Sequence, residues 1–205
     1  MSKFLLIAAC FFFPYYVLAQ DSTVVEKKWE GSADLNFYFL EDDFFILPVL
    51  RFDKNWLHLE ARYNYEDKKT TSLWGGYNFS GGNKLEYQFT PMVGIVAGEL
   101  NGMAPGLEMT IGFKSFELYS ESEYFLDFNN SEDNFLYTWT DLTWSPFEWG
   151  WIGISGQRSR LYETDVDIQR GLLAGGGFRN WEFSGYLYNP GTDDTYIIAS
   201  ISWSF

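Results

Sequence analysis

The chain contains one histidine, His58, and charged residues follow it at every second position. Glu60 and Arg62 share its spacing, so in an extended strand all three side chains lie on one face. An imidazole beside a carboxylate can act in general acid–base chemistry, because the charge of histidine changes near neutral pH. The sequence therefore raises the hypothesis of a catalytic or proton-responsive centre around His58.

Nucleophilic catalysis would need a further residue, which the sequence does not supply next to His58. The context His58-Leu59-Glu60-Ala61 places no serine beside the imidazole, and the chain contains no Gly-x-Ser-x-Gly motif. The other interpretation is that His58 belongs to a hydrogen-bonded wall. We therefore predict no catalytic residue, no metal ligand and no cofactor, and an enzymatic role around His58 stays open as an alternative.

Polar residues recur with the same period of two in other segments. Glu86 and Gln88 are two positions apart, as are Glu121 and Glu123, and in 85–97 the intervening positions are apolar. One polar and one apolar face indicate a β-strand. The polar faces predict an interior set of candidate lumen-lining residues: Asp34, Arg51, His58, Glu60, Arg62, Glu86, Gln88, Glu108, Glu117, Glu121 and Glu123.

Strands follow one another along the chain, and no stretch shows a convincing 3.6-residue helical period. Several of the predicted strands have about the nine to eleven residues that a tilted strand needs to cross a membrane. The twelve predicted strands cover residues 29–40, 44–53, 56–66, 70–80, 83–97, 105–114, 116–127, 134–145, 149–160, 168–178, 180–188 and 194–205.

The connections between these strands alternate between two kinds. One kind is short and has residues typical of tight hairpins, at 53–55, 80–83, 114–115, 145–148 and 178–180. The other kind is mostly longer and acidic, at 41–43, 66–69, 98–105, 127–133, 163–167 and 190–194. A membrane barrel with both termini on one side has short turns on that side and longer loops on the other. The alternation therefore predicts an antiparallel up-and-down barrel.

The composition is unusual for a soluble domain, because 21% of the residues are aromatic and the net charge is −14. So many rings must be buried in a large core, as in a soluble sandwich, or placed against lipid, as in the girdles of a membrane barrel. The excess of carboxylates argues against a nucleic-acid partner, which a basic surface would recognise.

The N-terminal residues have the features of a secretory signal peptide. Lys3 precedes an apolar stretch, 4–17, and Ala19 is a small residue suited to a cleavage site. We predict that residues 1–19 are a cleaved signal peptide and that residues 20–205 form a single β-barrel domain.

The last eleven residues, 195–205, alternate between apolar and small polar side chains up to Phe205. With Trp203 two positions earlier, this ending resembles the closing strand of bacterial outer-membrane β-barrel proteins. Together with the strand pattern, the resemblance predicts an all-β fold, which is a transmembrane antiparallel up-and-down barrel of about twelve strands, with ten or fourteen as the alternatives. The resemblance also implies a location in the outer membrane of a Gram-negative cell envelope. It also implies that Trp203 and Phe205 form the assembly signal, and that the partners are outer-membrane lipid, lipopolysaccharide and the barrel-assembly machinery.

The acidic interior and the resemblance together predict a small channel or porin-like protein. Its lumen would favour cations and pass small cations or polar solutes, because carboxylates in a low-dielectric wall attract positive charge. The interior glycines Gly76, Gly94 and Gly112 favour an open lumen.

Two other interpretations remain open. In one, basic and acidic side chains form a network that closes the lumen, with an enzymatic role around His58 as its possible use. In the other, a structural or surface-binding barrel acts through its acidic external loops. The members of the predicted network are Arg51, Arg62, Lys114, Glu60, Glu86 and Glu108.

Overall fold

Thirteen strand segments follow one another in residues 28–158 and 168–205, the parts of the chain that the computed structural model describes. A short 3-10 turn, Ser131–Asp133, lies in the connection 128–134. The segments are β1 Glu30–Phe39, β2 Phe44–Lys54, β3 Leu57–Tyr63, β4 Thr70–Tyr77, β5 Phe79–Gly82, β6 Leu85–Gly98, β7 Gly102–Phe113, β8 Phe116–Asp127, β9 Phe135–Phe147, β10 Gly150–Arg158, β11 Gln169–Phe178, β12 Trp181–Tyr188 and β13 Tyr196–Ser204.

The strands close into one antiparallel barrel. Strands that follow one another in sequence pair with each other, except β4 and β5, and β1 pairs with β13. β4 and β5 both pair with β6 and are separated only at Asn78, so they form one wall strand. The barrel therefore has twelve wall strands, and the predicted fold class is confirmed.

The observed strand ends lie close to the predicted ones. The largest differences are three residues, at the end of β3 (predicted 66, observed Tyr63) and at the start of β7 (predicted 105, observed Gly102). The predicted acidic loop at 163–167 and the predicted signal peptide at 1–19 lie outside the described residues.

The connections have the two alternating kinds that the sequence predicts. Two-residue turns at 55–56, 83–84, 114–115, 148–149 and 179–180 lie at the end of the barrel that also holds the start of β1 and the end of β13. Longer connections, such as 64–69 and 128–134, lie at the opposite end. We call these the short-turn end and the loop end.

The outer surface of the barrel is apolar. Alternate residues of each strand point outwards, and aliphatic side chains such as Leu73, Ile95 and Ile154 expose 57–66% of their surface. Near the short-turn end the outward residues are mostly aromatic, with stacked pairs such as Trp56–Tyr77 and Trp181–Trp203. An apolar band with an aromatic girdle is the surface that a membrane-spanning barrel presents to lipid. No helix within residues 28–158 and 168–205 is long and apolar enough to span a membrane.

Candidate functional site in the barrel lumen

The inner faces of β1, β2 and β3 bring a first group of charges together. Arg51 lies opposite Glu60 in the β2–β3 ladder, and its Nε donates a hydrogen bond to Glu60 Oε1 at 2.6 Å. The same guanidinium donates from Nη1 to Asp34 on β1. Its Nη2 lies 3.9 Å from Glu108 Oε1 on β7. Arg51 is therefore surrounded by carboxylates that neutralise its charge.

Arg62 links two walls of the barrel. Its side chain is fully buried, and its Nε donates to Glu60 Oε2 at 2.5 Å. Its Nη1 donates to Glu121 Oε1 at 2.6 Å and to Glu123 Oε2 at 3.1 Å. Glu121 and Glu123 belong to β8, which three wall strands (β4, β6 and β7) separate from β3. The ion pairs of Arg62 therefore cross the lumen.

Aromatic rings enclose the Arg62 guanidinium as well. Its Cζ lies 4.3 Å from the ring centroid of Tyr65 and 4.6 Å from that of Trp74, which is the geometry of a cation–π contact. Sequence alternation places Tyr65 on the outer face, and the structure corrects this. β3 ends at Tyr63, and Asn64 adopts a positive φ of 57°, so the alternation stops and Tyr65 lies inside.

His58 is held between two carboxylates. Its Nδ1 lies 2.9 Å from Asp53 Oδ1 and its Nε2 lies 3.1 Å from Glu60 Oε1. Asn78, at the break between β4 and β5, donates to Asp53 at 2.6 Å and accepts from Thr90 at 2.6 Å. Both nitrogens of this buried imidazole thus face acids, and the contacts of His58 are those of a wall residue.

His58, Glu60 and Glu108 place one possible ligand atom each within 4.8 Å of one another. Arg51 and Arg62 donate to the two oxygens of Glu60 at 2.6 and 2.5 Å. Two guanidinium charges at this position oppose a metal ion, since they repel it and occupy its carboxylate ligand. The arrangement is a salt-bridge network in which each carboxylate oxygen of Glu60 accepts a hydrogen bond from a guanidinium group.

Carboxylates outnumber basic groups in this network. Glu66 Oε2 and Glu123 Oε1 are buried and have no hydrogen-bond partner among the described residues. Burial raises the pKa of the Glu66 carboxyl, which lies in the 64–69 connection beyond the end of β3. The buried or nearly buried acids on the inner side are Glu60, Glu66, Glu108, Glu121, Glu123 and Asp141.

Aromatic side chains fill the lumen towards the loop end. We call this group the aromatic constriction. Its members come from β1, β2, β9, β12, β13 and the connection after β3, so they meet from several sides of the barrel. They are Tyr38, Phe45, Tyr65, Tyr137, Trp139, Tyr188 and Tyr196.

Hydroxyl groups join the aromatic constriction to the charged network. Tyr65 donates to Glu121 Oε2 at 2.5 Å, and Tyr137 donates to the Tyr65 hydroxyl at 3.2 Å. Gln157 Nε2 donates to Tyr137 at 3.4 Å, and its Oε1 accepts from Tyr196 at 3.2 Å. This hydrogen-bond chain runs from β8 to β13 through the interior, so it fixes the rings that narrow the lumen.

A cavity of about 490 Å³ occupies the lumen between the aromatic constriction and the short-turn end. Tyr65 and Trp139 lie at its inner limit, and Ser145, Glu182 and Ser202 lie close to the short turns. Its lining contains the carboxylates of Asp34, Glu117, Glu121, Asp141 and Glu182 and the guanidinium of Arg51.

Glu86 and Gln88 lie outside the network, in a second cavity of about 460 Å³ near the short-turn end. Glu117 lines both cavities. The predicted pairing of Lys114 with an interior acid does not occur among the described contacts, because Lys114 lies in the β7–β8 turn with its ammonium 5.2 Å from the Phe113 ring.

Two of the three interior glycines make room for side chains. A Cβ at Gly94 would lie 2.4 Å from the ring of Trp74, and a Cβ at Gly76 would lie 2.9 Å from Met92 Cβ. A Cβ at Gly112 would meet nothing within 4 Å. The expectation that these glycines open the lumen therefore fits Gly112 and is wrong for the other two.

Several lumen residues were absent from the predicted set. Asp141, Tyr119 and Tyr186 line the main cavity. The inner face of β9 carries Tyr137 and Trp139 before Asp141. Because these two residues are aromatic, the sequence shows no alternation of polar and apolar residues from which an inner face could be predicted. The one sequence signal for Asp141 is that it is the only acid of β9.

The predicted assembly signal lies on the outer surface at the short-turn end. Trp203 and Phe205 are both partly exposed, and their ring centroids are 4.7 Å apart. Two backbone hydrogen bonds of 2.8 Å join Phe205 to Gly31. The terminal aromatic thus lies beside the seam between the first and last strands.

Solved structures of outer-membrane proteins resemble this barrel. The KdgM porin has a TM-score of 0.61 at 14% sequence identity, over 85% of this chain and 99% of that chain. The KdgM porin in complex with disordered oligogalacturonate has a TM-score of 0.58 at 14% identity, with the same coverage. The outer-membrane protein Omp33 of Acinetobacter baumannii has a TM-score of 0.51 at 9% identity, over 86% of this chain and 98% of that chain.

At the level of sequence, no family model matches the chain, and no curated protein matches it. The structural likeness covers nearly the whole length of the solved chains, and at these identities it concerns the fold. The predicted resemblance to outer-membrane β-barrel proteins is confirmed, and the chain has the fold of outer-membrane porin barrels.

Proposed function

We propose that the protein is a narrow, porin-like channel of the outer membrane with a lumen that favours cations. The observation that carries this proposal is the charge of the main cavity, whose lining has five carboxylates and one guanidinium. The porin fold supports a pathway through the barrel, and the acids support its preference for positive charge. Export by cleavage after Ala19 and assembly in the outer membrane are part of this proposal.

Two acids at the short-turn end are the best placed to act on mobile ions. Glu117 and Glu182 line the main cavity and form no ion pair with a described residue. Arg51, the basic residue of the lining, is already neutralised by Asp34 and Glu60. The electric field of these two unpaired carboxylates at the short-turn end is therefore negative, and it raises the local concentration of cations.

The charge of the lining also bears on the solute. One KdgM porin structure is a complex with disordered oligogalacturonate, a polyanion. A polyanion would be repelled by the acids Glu117, Asp141 and Glu182 of the present lining. We infer that this barrel uses a porin fold for solutes of the opposite charge.

Planar-bilayer recording with a salt gradient tests the proposal, using protein purified from the outer membranes of cells that express the full sequence. We expect small stepwise currents and a reversal potential on the cation-selective side. The double variant Glu117→Gln, Glu182→Gln should move the reversal potential towards zero, because it removes two unpaired charges from the entrance.

The matched control is Glu132→Gln, which removes one carboxylate from the 3-10 turn at the loop end. It should leave the selectivity near that of the unmodified protein. A folded barrel that gives no current, or one that prefers anions, would contradict the proposed function.

A further inference from the structure

The main cavity contains a carboxylate that is fixed by neutral donors. Asp141 Oδ1 accepts hydrogen bonds from Trp139 Nε1 at 2.7 Å and from the hydroxyl of Ser155. Its Oδ2 accepts from the Tyr186 hydroxyl at 3.1 Å. Asp141 is 8% exposed and forms no ion pair with a described residue. Its negative charge is therefore oriented but not neutralised.

Two aromatic side chains, Trp139 and Tyr186, donate hydrogen bonds to Asp141, and further rings line the same cavity. Trp139, Trp151 and Tyr186 line the cavity together with Asp141. Trp139 meets Tyr186 edge-on, with centroids 5.4 Å apart and an interplanar angle of 88°. Trp151 is held against the backbone of Gly175, where a Cβ would lie 2.4 Å from the indole. The rings are thus held in place before any solute arrives.

This combination selects among cations. A metal ion needs several free oxygen ligands at short distance, and three donors already occupy the oxygens of Asp141. An alkylammonium ion needs no such coordination, because ring faces and a nearby negative charge attract it through its methyl or methylene surface. The cavity volume of about 490 Å³ lies in the range of small-molecule sites.

We propose that the cavity is a binding site for small alkylammonium ions, which are the solute class that the channel admits. The inference rests on the proposed function, since passage through the barrel gives such a solute its route to Asp141. Recognition depends on the aromatic rings as well as on the negative charge of Asp141.

Equilibrium binding of choline to the purified protein in detergent, followed by calorimetry, tests this site. The matched control is the uncharged compound 3,3-dimethylbutan-1-ol, which has the same shape as choline without its charge. We expect saturable binding of choline and a Kd for the alcohol that is higher by about tenfold or more. The alcohol lacks the positive charge that the ring faces and Asp141 attract.

Two variants separate the contribution of the Asp141 charge from that of the Trp151 ring. Asp141→Asn keeps the shape and one acceptor but removes the charge, and it should weaken choline binding about tenfold while binding of the alcohol stays unchanged. Trp151→Leu removes a ring that has no hydrogen bond to the network, and it should weaken choline binding even if the first variant fails to fold. Glu132→Gln is the control for loss of a carboxylate elsewhere.

Equal binding of choline and the alcohol, an absence of saturable binding, or affinity unaffected by the folded variants would overturn the inference. The outcomes separate it from the channel proposal. A barrel that conducts potassium but does not bind choline overturns the inference and leaves the channel intact. A silent barrel that binds choline supports the site and overturns the channel.

Discussion

Arg62 is the side chain on which the charge balance of the interior depends most. It is fully buried, and it donates to Glu60, Glu121 and Glu123 while its guanidinium stacks between two rings. Removing one member of a buried ion-pair network leaves its partners desolvated and unpaired. Glu121 and Glu123 would then lose the ion-pair partner that the structure gives them, while Glu60 would keep Arg51.

Replacing Arg62 by Met should therefore destabilise the barrel by about 3 to 5 kcal/mol, the usual cost of breaking a buried pair. Urea unfolding in lipid vesicles, followed by tryptophan fluorescence, measures this change. Arg62→Lys keeps the charge but loses the planar fork, so its loss of stability should be intermediate.

The control for this prediction is Arg170→Met, since Arg170 is an exposed arginine near the loop end. Its free energy of unfolding should stay close to that of the unmodified protein. If Arg62→Met unfolded at the same urea concentration as this control, the network would not contribute to stability as we argue.

At the scale of elements, the seam between β1 and β13 determines whether the barrel closes. The ladder pairs Ser32 with Ser204 at the short-turn end and Phe39 with Ile197 at the loop end. Beyond the ladder, Phe205 continues the pairing with two backbone hydrogen bonds to Gly31, and its ring lies 6.0 Å from Phe52. The last residue therefore belongs to the seam as well as to the predicted assembly signal.

Deletion of Phe205 should reduce the amount of assembled barrel in the outer membrane without changing synthesis. The fraction that migrates as folded protein on a gel without heating, compared with the total after heating, measures this effect. Phe205→Tyr keeps an aromatic ring and both backbone bonds, so it should assemble nearly normally. Normal assembly of the deletion variant would remove the role that we assign to this residue.

The strands and turns of the barrel wall could be predicted from sequence because each depends on residues that are close together along the chain. Alternation in segments such as 85–97 shows strand and face together, and short turns such as 114–115 mark the ends. Contacts across the lumen are not local. Nothing in the sequence near Arg62 indicates that its partners are Glu121 and Glu123, since that contact depends on closure over three intervening strands.

The interior was harder to predict where both faces of a strand carry apolar residues. On β9 the inward Tyr137 and Trp139 resemble the residues of an outer face, so the alternation does not indicate that Asp141 points inwards. Alternation extended past the end of β3 points Tyr65 outwards, but the positive φ of Asn64 changes the direction of the chain and turns Tyr65 inwards. Gly94 does not open the lumen as expected, because the ring of Trp74 occupies the space beside it.

At the scale of the whole molecule, the two ends of the lumen differ. The short-turn end holds two cavities lined by acids, and the loop end holds the aromatic constriction. In a barrel of about twelve strands the size of the interior side chains decides how much space is left for water. In the channel that we propose, the constriction should therefore limit conductance, and the acids at the other end should determine selectivity.

Tyr137 lies at the centre of the constriction, in ring contact with Tyr65 at 5.2 Å and in the hydrogen-bond chain that crosses the lumen. Tyr137→Ala should raise the unitary conductance by about twofold or more, because it removes a ring from the aromatic constriction. Tyr137→Phe keeps the ring and loses only the hydroxyl, so its conductance should stay near that of the unmodified protein. A rise in both variants would assign the limit to the hydrogen-bond chain, and a rise in neither would place the limiting section elsewhere in the barrel.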